Sequence, residues 1–382
     1  MSIEQEYIYM DNNATTAAIP EAVEAMQQIA HLPHNPSSVH AFGRRAKAII
    51  DDAKRQLALA LNIHDDYRII FTSCGTEANN LACSIDHDLL ITSKIEHKSV
   101  LNRKNILLAD VDQNGLIEVD ALLDLIDAHY SKSRRILVSI MLANNDIGTI
   151  QPIHELNQLI KSRYANVIFH SDIIQAVGKM EVDIAKLGID IATISGHKFG
   201  ASTGVGAVII KNDIANNMLN PIITGGGQEY NMRAWTHNTP AIAAIGVAAS
   251  RISKRINDYQ NVRVLLKYLR HKIRNICADA ILYPNEDIDS LPNTVAIFMP
   301  GVKAETQVIF FDLHSIAISA GSACSSGKTE VSHVYQAITG DQNIAANIIR
   351  VSLAVDCTKE EINSFARIWE RLYVMSNKSA SA

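Results

Sequence analysis

The 382-residue sequence lacks the features that mark several classes of protein. It contains no apolar run near the roughly 18 residues that a membrane span needs. Its acidic and basic residues are interspersed and give a formal net charge of −5, so no basic patch is available for nucleic acid. Its start, MSIEQEYIYM, lacks the basic and apolar regions of a signal peptide. We therefore expect a cytoplasmic protein that binds neither membranes nor nucleic acid.

Cysteine is also scarce. The five cysteines are widely spaced and form no CxxC pair, which argues against a disulfide framework and against a thiolate metal site. No metal site is predicted. Cys83 and Cys277 lie in helical patterns beside apolar neighbours, where cysteine behaves as a small hydrophobic residue. Cys324 lies in SAGSACSSG, and its small neighbours favour the exposure that a reactive thiol requires.

Short apolar runs alternate with helical patterns over the first two thirds of the chain. The runs are RIIFT, LLITS, ILVSIML, NVIFHSD, DIATIS and GVGAVII, and the helical segments span 40–61, 76–86, 119–129 and 153–163. Most runs are apolar nearly throughout, which is typical of strands that are covered on both faces of a parallel sheet. The alternation predicts βα units in a large α/β domain with a mostly parallel sheet.

The pattern changes after about residue 240. A helical stretch over 240–279, interrupted at 257–258, is followed by two strand candidates, NTVAIFMPG and SIAISAG, with a helix between them. A capping box, Thr358 with Glu361, starts a further helix. We therefore expect a large domain over 16–255 and a smaller α+β domain over 256–382 that carries Cys324. Residues 1–15 are expected to form an N-terminal segment that packs with the small domain.

Polar residues follow several of the predicted strands, at the sheet edge where open α/β sheets bind ligands. They are Gly75, Thr76, His97, Asp172, Gln175, Ser195, His197 and Lys198. Each has an ordinary alternative, since Thr76 could cap a helix and Lys198 could lie in a surface loop. Together they supply a lysine for a Schiff base, an acid for a ring nitrogen, an imidazole for stacking and a helix N-terminus for a phosphate. These are the parts that pyridoxal phosphate requires.

The order of the motifs resembles that of cysteine desulfurases of the NifS/IscS type, which are class-V members of the fold-type I pyridoxal-phosphate enzymes. The motifs are YMDNNATT, NPSSVHAFGRRAK, FTSCGTEANN, EHKSV, ANNDIGTIQPI, HSDIIQAVGK, SGHKFG, GGGQE, SAGSACSSG and IRVSL, and they span essentially the whole chain. SGHK followed by GSAC is the most specific pair. The resemblance implies a fold-type I transferase whose large domain binds pyridoxal phosphate.

The resemblance also assigns roles to residues at the cofactor ring. Lys198 would bind the cofactor covalently, and Asp172 would pair with its ring nitrogen. His97 would stack on the ring and transfer protons. Gln175 would form a hydrogen bond with the ring's phenolic oxygen, with Asn145 nearby.

Further roles concern the two ends of the site. The residues that would hold the phosphate are Gly75, Thr76, Ser195 and His197, joined by Thr236 from the partner subunit of a homodimer. Arg350, with Asn35 and Asn145, would bind the carboxylate of the L-cysteine substrate, because its planar fork meets a carboxylate at two points. Cys324 would take the sulfur as a persulfide, leave L-alanine, and pass the sulfur to an acceptor or iron–sulfur scaffold protein.

The chain departs from the family pattern chiefly at one segment, and these departures leave alternatives open. The family reads GGGQERGxRxGT where this chain reads GGGQEYNMRAWT, so Tyr230 replaces arginine, and Asn231 and Trp235 replace glycines. An indole does not share the wide φ/ψ range of glycine, so a changed contact at Thr236 is expected. Cys74 also stands where glycine is common. The alternatives are a selenocysteine lyase, another class-V enzyme, and a degenerate paralogue with a binding role.

Overall fold

The computed structural model describes residues 7–321 and 331–380, the last four of these by their backbone alone. The strands are β1 (Ile8–Tyr9), β2 (Tyr67–Thr72), β3 (Leu89–Ser93), β4 (Ile106–Ala109), β5 (Ile136–Ser139), β6 (Val167–Asp172), β7 (Ile191–Ser195), β8 (Gly206–Lys211), β9 (Ile281–Tyr283), β10 (Thr294–Phe298), β11 (Ile316–Ala317) and β12 (Ile348–Ser352).

Helices connect most of these strands. They are α1 (Pro20–Ala30), α2 (Ala41–Leu61), α3 (Gly75–Ala82), α4 (Lys98–Leu101), α5 (Val119–His129), α6 (Ile153–Arg163), α7 (Ile184–Leu187), α8 (Asn212–Met218), α9 (Thr239–Ser250), α10 (Ile252–Ile276), α11 (Ala304–Asp312), α12 (His333–Thr339), α13 (Gln342–Ala345) and α14 (Lys359–Ala380). Two 3₁₀ turns span Gly196–Lys198 and Gln228–Asn231. None of the helices within 7–321 and 331–380 is long and apolar enough to cross a bilayer.

The main sheet has seven strands in the order β2-β8-β7-β6-β5-β3-β4. β8 pairs antiparallel with both β7 and β2, and the other pairings are parallel. The predicted mostly parallel sheet is therefore confirmed, with strands at all six predicted runs. The sequence reading missed β4, which is only four residues long and is partly exposed. It could not give the direction of β8 either, because a strand that is buried on both faces has the same apolar pattern in either direction.

Helices cover both faces of this sheet. Phe71 and Phe169 pack on one face in a core that includes residues of α2, α5, α6 and α9. Ile70 and Val208 pack on the other face against residues of α3 and α8. Burial on both faces explains why the strands read as continuous apolar runs.

A second core lies around a three-stranded antiparallel sheet, β12-β10-β9. Residues of α10, α11 and α14 pack on it, and Met10 from the N-terminal segment joins the same core. β1 pairs in parallel with β11, so the N-terminal segment lies beside the C-terminal part of the chain. The domain limits at 15/16 and 255/256 stay a prediction.

Two details of the C-terminal half test the sequence reading. The capping box is present, since Thr358 N donates to Glu361 Oε2 at 2.7 Å and Glu361 N donates to Thr358 Oγ1 at 3.2 Å. The predicted helix interruption at 257–258 is wrong, because the break falls at Arg251, between α9 and α10. Asp258 is accommodated on the exposed face of α10, where it forms an ion pair with Lys254 one turn earlier, at 3.1 Å.

Candidate active site

A cavity of about 470 Å³ lies at the carboxyl ends of β6 and β7. The predicted site residues that line it are Gly75, Thr76, His97, Asn145, Asp172, Gln175, Ser195, His197, Lys198 and Arg350. They come from segments as far apart as α3 and β12. The parallel strands bring most of them together because their carboxyl ends meet at one edge of the sheet.

The structure does not bring three other predicted residues into this cavity. Asn35 and Thr236 are exposed and are not among the lining residues, and Asn35 Oδ1 accepts a hydrogen bond from Ser37 N at 3.0 Å. Cys324 lies outside the described residues. The roles assigned to these three residues stay predictions. No cluster of His, Cys, Asp and Glu suited to a metal ion occurs within residues 7–321 and 331–380.

Lys198 lies at the end of the 3₁₀ turn that follows β7. Its Nζ donates to the carbonyl oxygens of Asn13 and Ala14, at 2.6 and 2.7 Å. Burial, and then the nearby Arg350 cation, lowers the pKa of Lys198 to about 8. The strand fixes the backbone of this lysine, while its environment makes the amine far more available in the neutral form than that of an ordinary lysine.

Asp172 is the last residue of β6, and its carboxylate is buried. Asn79 Nδ2 donates to Oδ2 at 2.7 Å, and Ile174 N donates to Oδ1 at 2.9 Å. Burial raises its pKa. Among the ion pairs of the described residues none involves Asp172, so this carboxylate lacks the cationic partner that a buried charge normally requires.

Beneath Asp172 lies a buried hydrogen-bond chain. Thr193 Oγ1 donates to Asn79 Oδ1 at 2.5 Å, since an amide oxygen can only accept. The Thr193 hydroxyl must then accept from His170 Nε2, 3.2 Å away. Burial lowers the pKa of His170 to about 3, so the ring is neutral and its Nδ1 accepts from Ser139 Oγ at 2.8 Å. The chain holds the Asn79 amide with its N–H end toward Asp172.

Two histidines face the cavity in the neutral form. His97 Nδ1 accepts from Ser99 N at 3.1 Å and lies 2.7 Å from Ser99 Oγ, which places the ring proton on Nε2. Burial lowers the pKa of His97. His197 Nδ1 lies 3.1 Å from Thr15 Oγ1, and burial followed by the Lys198 cation lowers the pKa of His197 to about 4.

The start of α3 and the end of β7 border an open space, which we call the anion seat. Cys74, and not Thr76 or Ser73, is its N-cap residue, and Cys74 Sγ accepts from Glu77 N at 3.4 Å. The buried Ser195 Oγ has no hydrogen-bond partner. A Cβ atom on Gly75 would lie 2.5 Å from Ile174 Cδ1 and 3.0 Å from Ser195 Cβ, so only glycine leaves this space clear. The seat offers unpaired donors at a helix N-terminus, as an anionic group requires.

Arg350 projects from β12 into the cavity. Its Nη1 donates to Asp146 Oδ1 at 3.0 Å and to the carbonyl oxygen of Asn145 at 3.2 Å, and its Nη2 donates to Asp11 Oδ1 at 2.6 Å. The two carboxylates hold the guanidinium in a fixed orientation. The sequence reading missed Asp11 and Asp146, although the motifs YMDNNATT and ANNDIGTIQPI contain them.

Lys179 is another residue that the sequence reading missed. It is only 1 % exposed, and its Nζ donates to Asn13 Oδ1 and Gln175 Oε1, both at 2.7 Å. Gln175 Nε2 in turn donates to the Asn13 carbonyl oxygen at 3.0 Å. HSDIIQAVGK places Lys179 four residues after Gln175, but nothing in this pattern distinguishes it from a surface lysine.

The segment that departs from the family pattern has an unusual backbone. Glu229, Tyr230 and Asn231 adopt φ values of 45°, 60° and 65°, in the left-handed region. Trp235 is not among the residues with positive φ, so the conflict expected at this indole does not arise. The left-handed conformation falls instead on three residues that precede it.

Trp235 nevertheless connects this segment to the anion seat. The Arg233 guanidinium lies 3.7 Å from the centroid of the Trp235 ring. Arg233 also forms a two-point ion pair with Glu77 in the first turn of α3, Nε to Oε1 at 2.6 Å and Nη2 to Oε2 at 2.9 Å. The indole therefore stacks on the arginine that fixes the first turn of this helix.

Comparison with known proteins places the chain in a family. The model of the aminotransferase class-V family matches residues 8–365. Cysteine desulfurase IscS of Dictyoglomus turgidum is 35 % identical, over 96 % of this chain and 94 % of that protein. Among solved structures, a NifS-like protein from Rickettsia africae is 36 % identical with a TM-score of 0.88, over 96 % of this chain and 99 % of that one. A structure described as SspA in complex with cysteine is 27 % identical with a TM-score of 0.74, over 91 % of this chain and 98 % of that one.

Each of these matches spans nearly the full length of both compared proteins, so the similarity applies to the whole chain and not to one domain of it. The motifs from YMDNNATT to IRVSL lie within the matched region. The chain belongs to the class-V aminotransferase family and, within it, to the cysteine desulfurases.

Proposed function

We propose that the protein uses pyridoxal phosphate to convert L-cysteine to L-alanine and moves the sulfur onto Cys324. The observation that carries this proposal is a single cavity with four matched groups. They are an amine of lowered pKa on Lys198, a buried Asp172 carboxylate that forms no ion pair among the described residues, the neutral His97 ring and the fixed guanidinium of Arg350.

The residues present fit pyridoxal phosphate. Asp172 lacks a cationic partner, which a protonated ring nitrogen would supply. The orphaned Ser195 Oγ and the space over Gly75 suit the phosphate, beside the first N–H groups of α3. Lys198 would anchor the aldehyde carbon. When bound, this cofactor withdraws electrons from the amino acid and so weakens the bonds at its Cα and Cβ.

The remaining work falls to residues of this chain. Arg350 would bind the substrate carboxylate, and its ion pairs with Asp11 and Asp146 hold the guanidinium so that little side-chain freedom is lost on binding. Lys198, with a pKa of about 8, is suited to move a proton at Cα near neutral pH. His97, whose Nδ1 accepts hydrogen bonds, would present Nε2–H to the substrate side of the cavity.

The sulfur step requires a thiol outside the described residues. The Cys324 thiolate would attack the sulfur of the substrate, and the C–S bond would break with its electron pair left on carbon. Cβ then takes up a proton to give the methyl group of alanine, and Cys324 keeps the added sulfur as a persulfide. The named relatives are cysteine desulfurases, and one related structure holds cysteine, which supports this substrate.

Further proposals concern assembly and location. We propose a homodimer, in which the exposed Thr236 of each chain would reach the anion seat of the other chain and contact the phosphate there. We also propose a cytoplasmic location and a protein acceptor for the persulfide sulfur, such as an iron–sulfur scaffold. The name IscS of the relatives supports the role in iron–sulfur assembly.

The test is the Cys324→Ser variant with L-cysteine. Cys324 has no proposed role in binding the cofactor or the substrate carboxylate. The variant should therefore bind pyridoxal phosphate normally and change its absorbance when cysteine is added. Alanine production should fall at least on the order of 100-fold, because a hydroxyl is a poor nucleophile toward sulfur. Mass spectrometry of the wild type should find the added sulfur on the Cys324 peptide.

Cys357→Ser is the matched control, since Cys357 is a half-buried free thiol that does not line the cavity. It should keep full activity. Near-normal alanine production by Cys324→Ser, or added sulfur on Cys74, would contradict the proposal. Release of elemental selenium from selenocysteine, with alanine as the other product and without need of Cys324, would favour a selenocysteine lyase. A wild type that binds no pyridoxal phosphate would indicate the degenerate paralogue.

A further inference from the structure

Lys179 is a buried amine without a carboxylate partner. It is only 1 % exposed, and no ion pair in the described part of the chain includes it. The charged groups whose fields reach it are the cations Lys198, Arg255 and Arg350. Burying a lysine in such surroundings is costly, and an apolar side chain of similar length would avoid the cost. Packing alone therefore does not explain why a lysine occupies this position, and a further explanation is needed.

Its contacts supply one. The Lys179 amine donates to Asn13 Oδ1 and to Gln175 Oε1, so both amide oxygens face it. Burial, and then the neighbouring cations, lowers the pKa of Lys179 well below its ordinary value. Both hydrogen bonds run from the amine to an amide oxygen, so reversing either amide would put an NH₂ group in place of the accepting oxygen and break the hydrogen bond that Lys179 donates.

The other end of the Gln175 amide reaches the active site. Gln175 lines the cavity, whereas Lys179 does not. Gln175 Nε2 donates to the Asn13 carbonyl oxygen at 3.0 Å, and the Lys198 amine donates to the same oxygen at 2.6 Å. The N–H end of Gln175 therefore lies beside the amine that would anchor the cofactor.

We infer that Lys179 is a positioning residue: it holds the Gln175 amide so that its N–H end, and not its oxygen, faces the Lys198 side of the cavity. This inference rests on the proposed function, because the group to which Gln175 would donate is the anionic ring oxygen of pyridoxal phosphate. Without Lys179 the amide keeps the hydrogen bond from its Nε2 to the Asn13 carbonyl oxygen but loses the one at its Oε1, so it is held less firmly. A rotated amide would present its oxygen to that anion, which would repel it.

A double-mutant cycle tests whether Lys179 acts through Gln175. The variants are Lys179→Met, Gln175→Met and the pair together, with Lys186→Met on the exposed face of α7 as the matched control. The dissociation constant of pyridoxal phosphate is measured by absorbance titration of cofactor-free protein, together with the absorbance maximum of the bound cofactor. Thermal unfolding of each cofactor-free variant reports on folding.

Lys179→Met should weaken cofactor binding on the order of tenfold, the effect of one misdirected hydrogen bond to a charged group, and should shift the absorbance maximum. In the Gln175→Met background the same substitution should have no further effect on either readout. Lys186→Met should match the wild type. The inference would be overturned if Lys179→Met and Gln175→Met weakened cofactor binding independently, so that the double variant showed the product of the two effects. It would also be overturned if Lys179→Met left the affinity and the spectrum unchanged.

A second variant covers the case in which Lys179→Met fails to fold. Gln175→Glu keeps an oxygen for Lys179 and gains an ion pair with it, but loses the N–H donor. It should fold and yet bind pyridoxal phosphate about tenfold more weakly. Wild-type affinity in Gln175→Glu would show that the N–H end of residue 175 has no role, and would refute the inference. A wild type that binds no cofactor would refute the proposed function as well, which distinguishes the two failures.

Discussion

The pH at which Lys198 becomes reactive follows from its surroundings. Burial and the Arg350 cation lower the pKa of this amine to about 8, while Asp11 and Asp172 act in the opposite direction. Only the neutral amine attacks an aldehyde. With this pKa about one amine in ten is neutral at pH 7 and about nine in ten at pH 9, so the rate of attack should rise about tenfold over this interval and then level off.

An ordinary lysine behaves differently over the same range. Its pKa near 10.4 leaves the neutral fraction small, so the rate rises roughly 100-fold from pH 7 to pH 9 and continues to rise above it. The two cases therefore differ both in the size of the change and in the presence of a plateau. The exposed lysines of the same chain provide the comparison within one experiment.

The assay uses cofactor-free protein and a small neutral aldehyde, so that the ionisation of pyridoxal phosphate does not enter. Borohydride traps the product, and mass spectrometry of the Lys198 peptide gives the initial rate between pH 6 and pH 11. Arg350→Gln should move the midpoint to higher pH, because it removes a cation, whereas Arg367→Gln on the exposed face of α14 should not move it. A Lys198 rate that rises without a plateau through pH 10 would refute the reasoning.

Two further predictions concern stability. Burial raises the pKa of Glu96 to about 8, so the folded protein holds a proton that the unfolded chain releases above about pH 4.5. Between these pH values this group should lower the free energy of unfolding of the wild type by about 1.4 kcal/mol per pH unit as pH rises. Urea unfolding of Glu96→Gln should lack this dependence, and parallel plots of unfolding free energy against pH for the two proteins would contradict the prediction. Thr193→Val should cost about 1–3 kcal/mol, because it leaves Asn79 Oδ1 and His170 Nε2 unpaired, whereas Thr193→Ser should cost less; equal urea midpoints for both variants would show that the hydroxyl is unimportant.

The sequence pattern predicted well those features that recur from strand to strand. Apolar runs located six of the seven strands of the main sheet, and the ends of the strands located Asp172, Ser195 and Lys198 in one cavity. Both readings work because a sheet buried on two faces needs continuous apolar strands, and because parallel strands share one functional edge. The family motifs added Arg350, which lies far from the others in sequence but lines the same cavity.

The sequence was a poor guide to residues whose importance depends on burial alone. Lys179 and Glu96 carry ordinary charged side chains, and only the packing around them shows that both are buried. Asn13 connects Lys179, Gln175 and Lys198, but its part could not be read from YMDNNATT, since these partners lie more than 150 positions away. The break in the long helix was misplaced for a related reason, because the polar pair at 257–258 is tolerated on an exposed face.

The positions of Arg350 and Lys198 imply that substrate binding changes the basicity of the lysine. The Arg350 cation lowers the pKa of Lys198, and a substrate carboxylate on Arg350 would offset that charge. The pKa of the released amine should then rise toward its ordinary value, which makes Lys198 a stronger base after the substrate has bound than before. In cofactor-free protein, saturating propionate, a carboxylate without an amino group, should therefore move the Lys198 midpoint to higher pH, and the isosteric but neutral propionamide should not. Equal midpoints with the two ligands, under conditions where propionate is bound, would show that Arg350 does not couple carboxylate binding to the lysine.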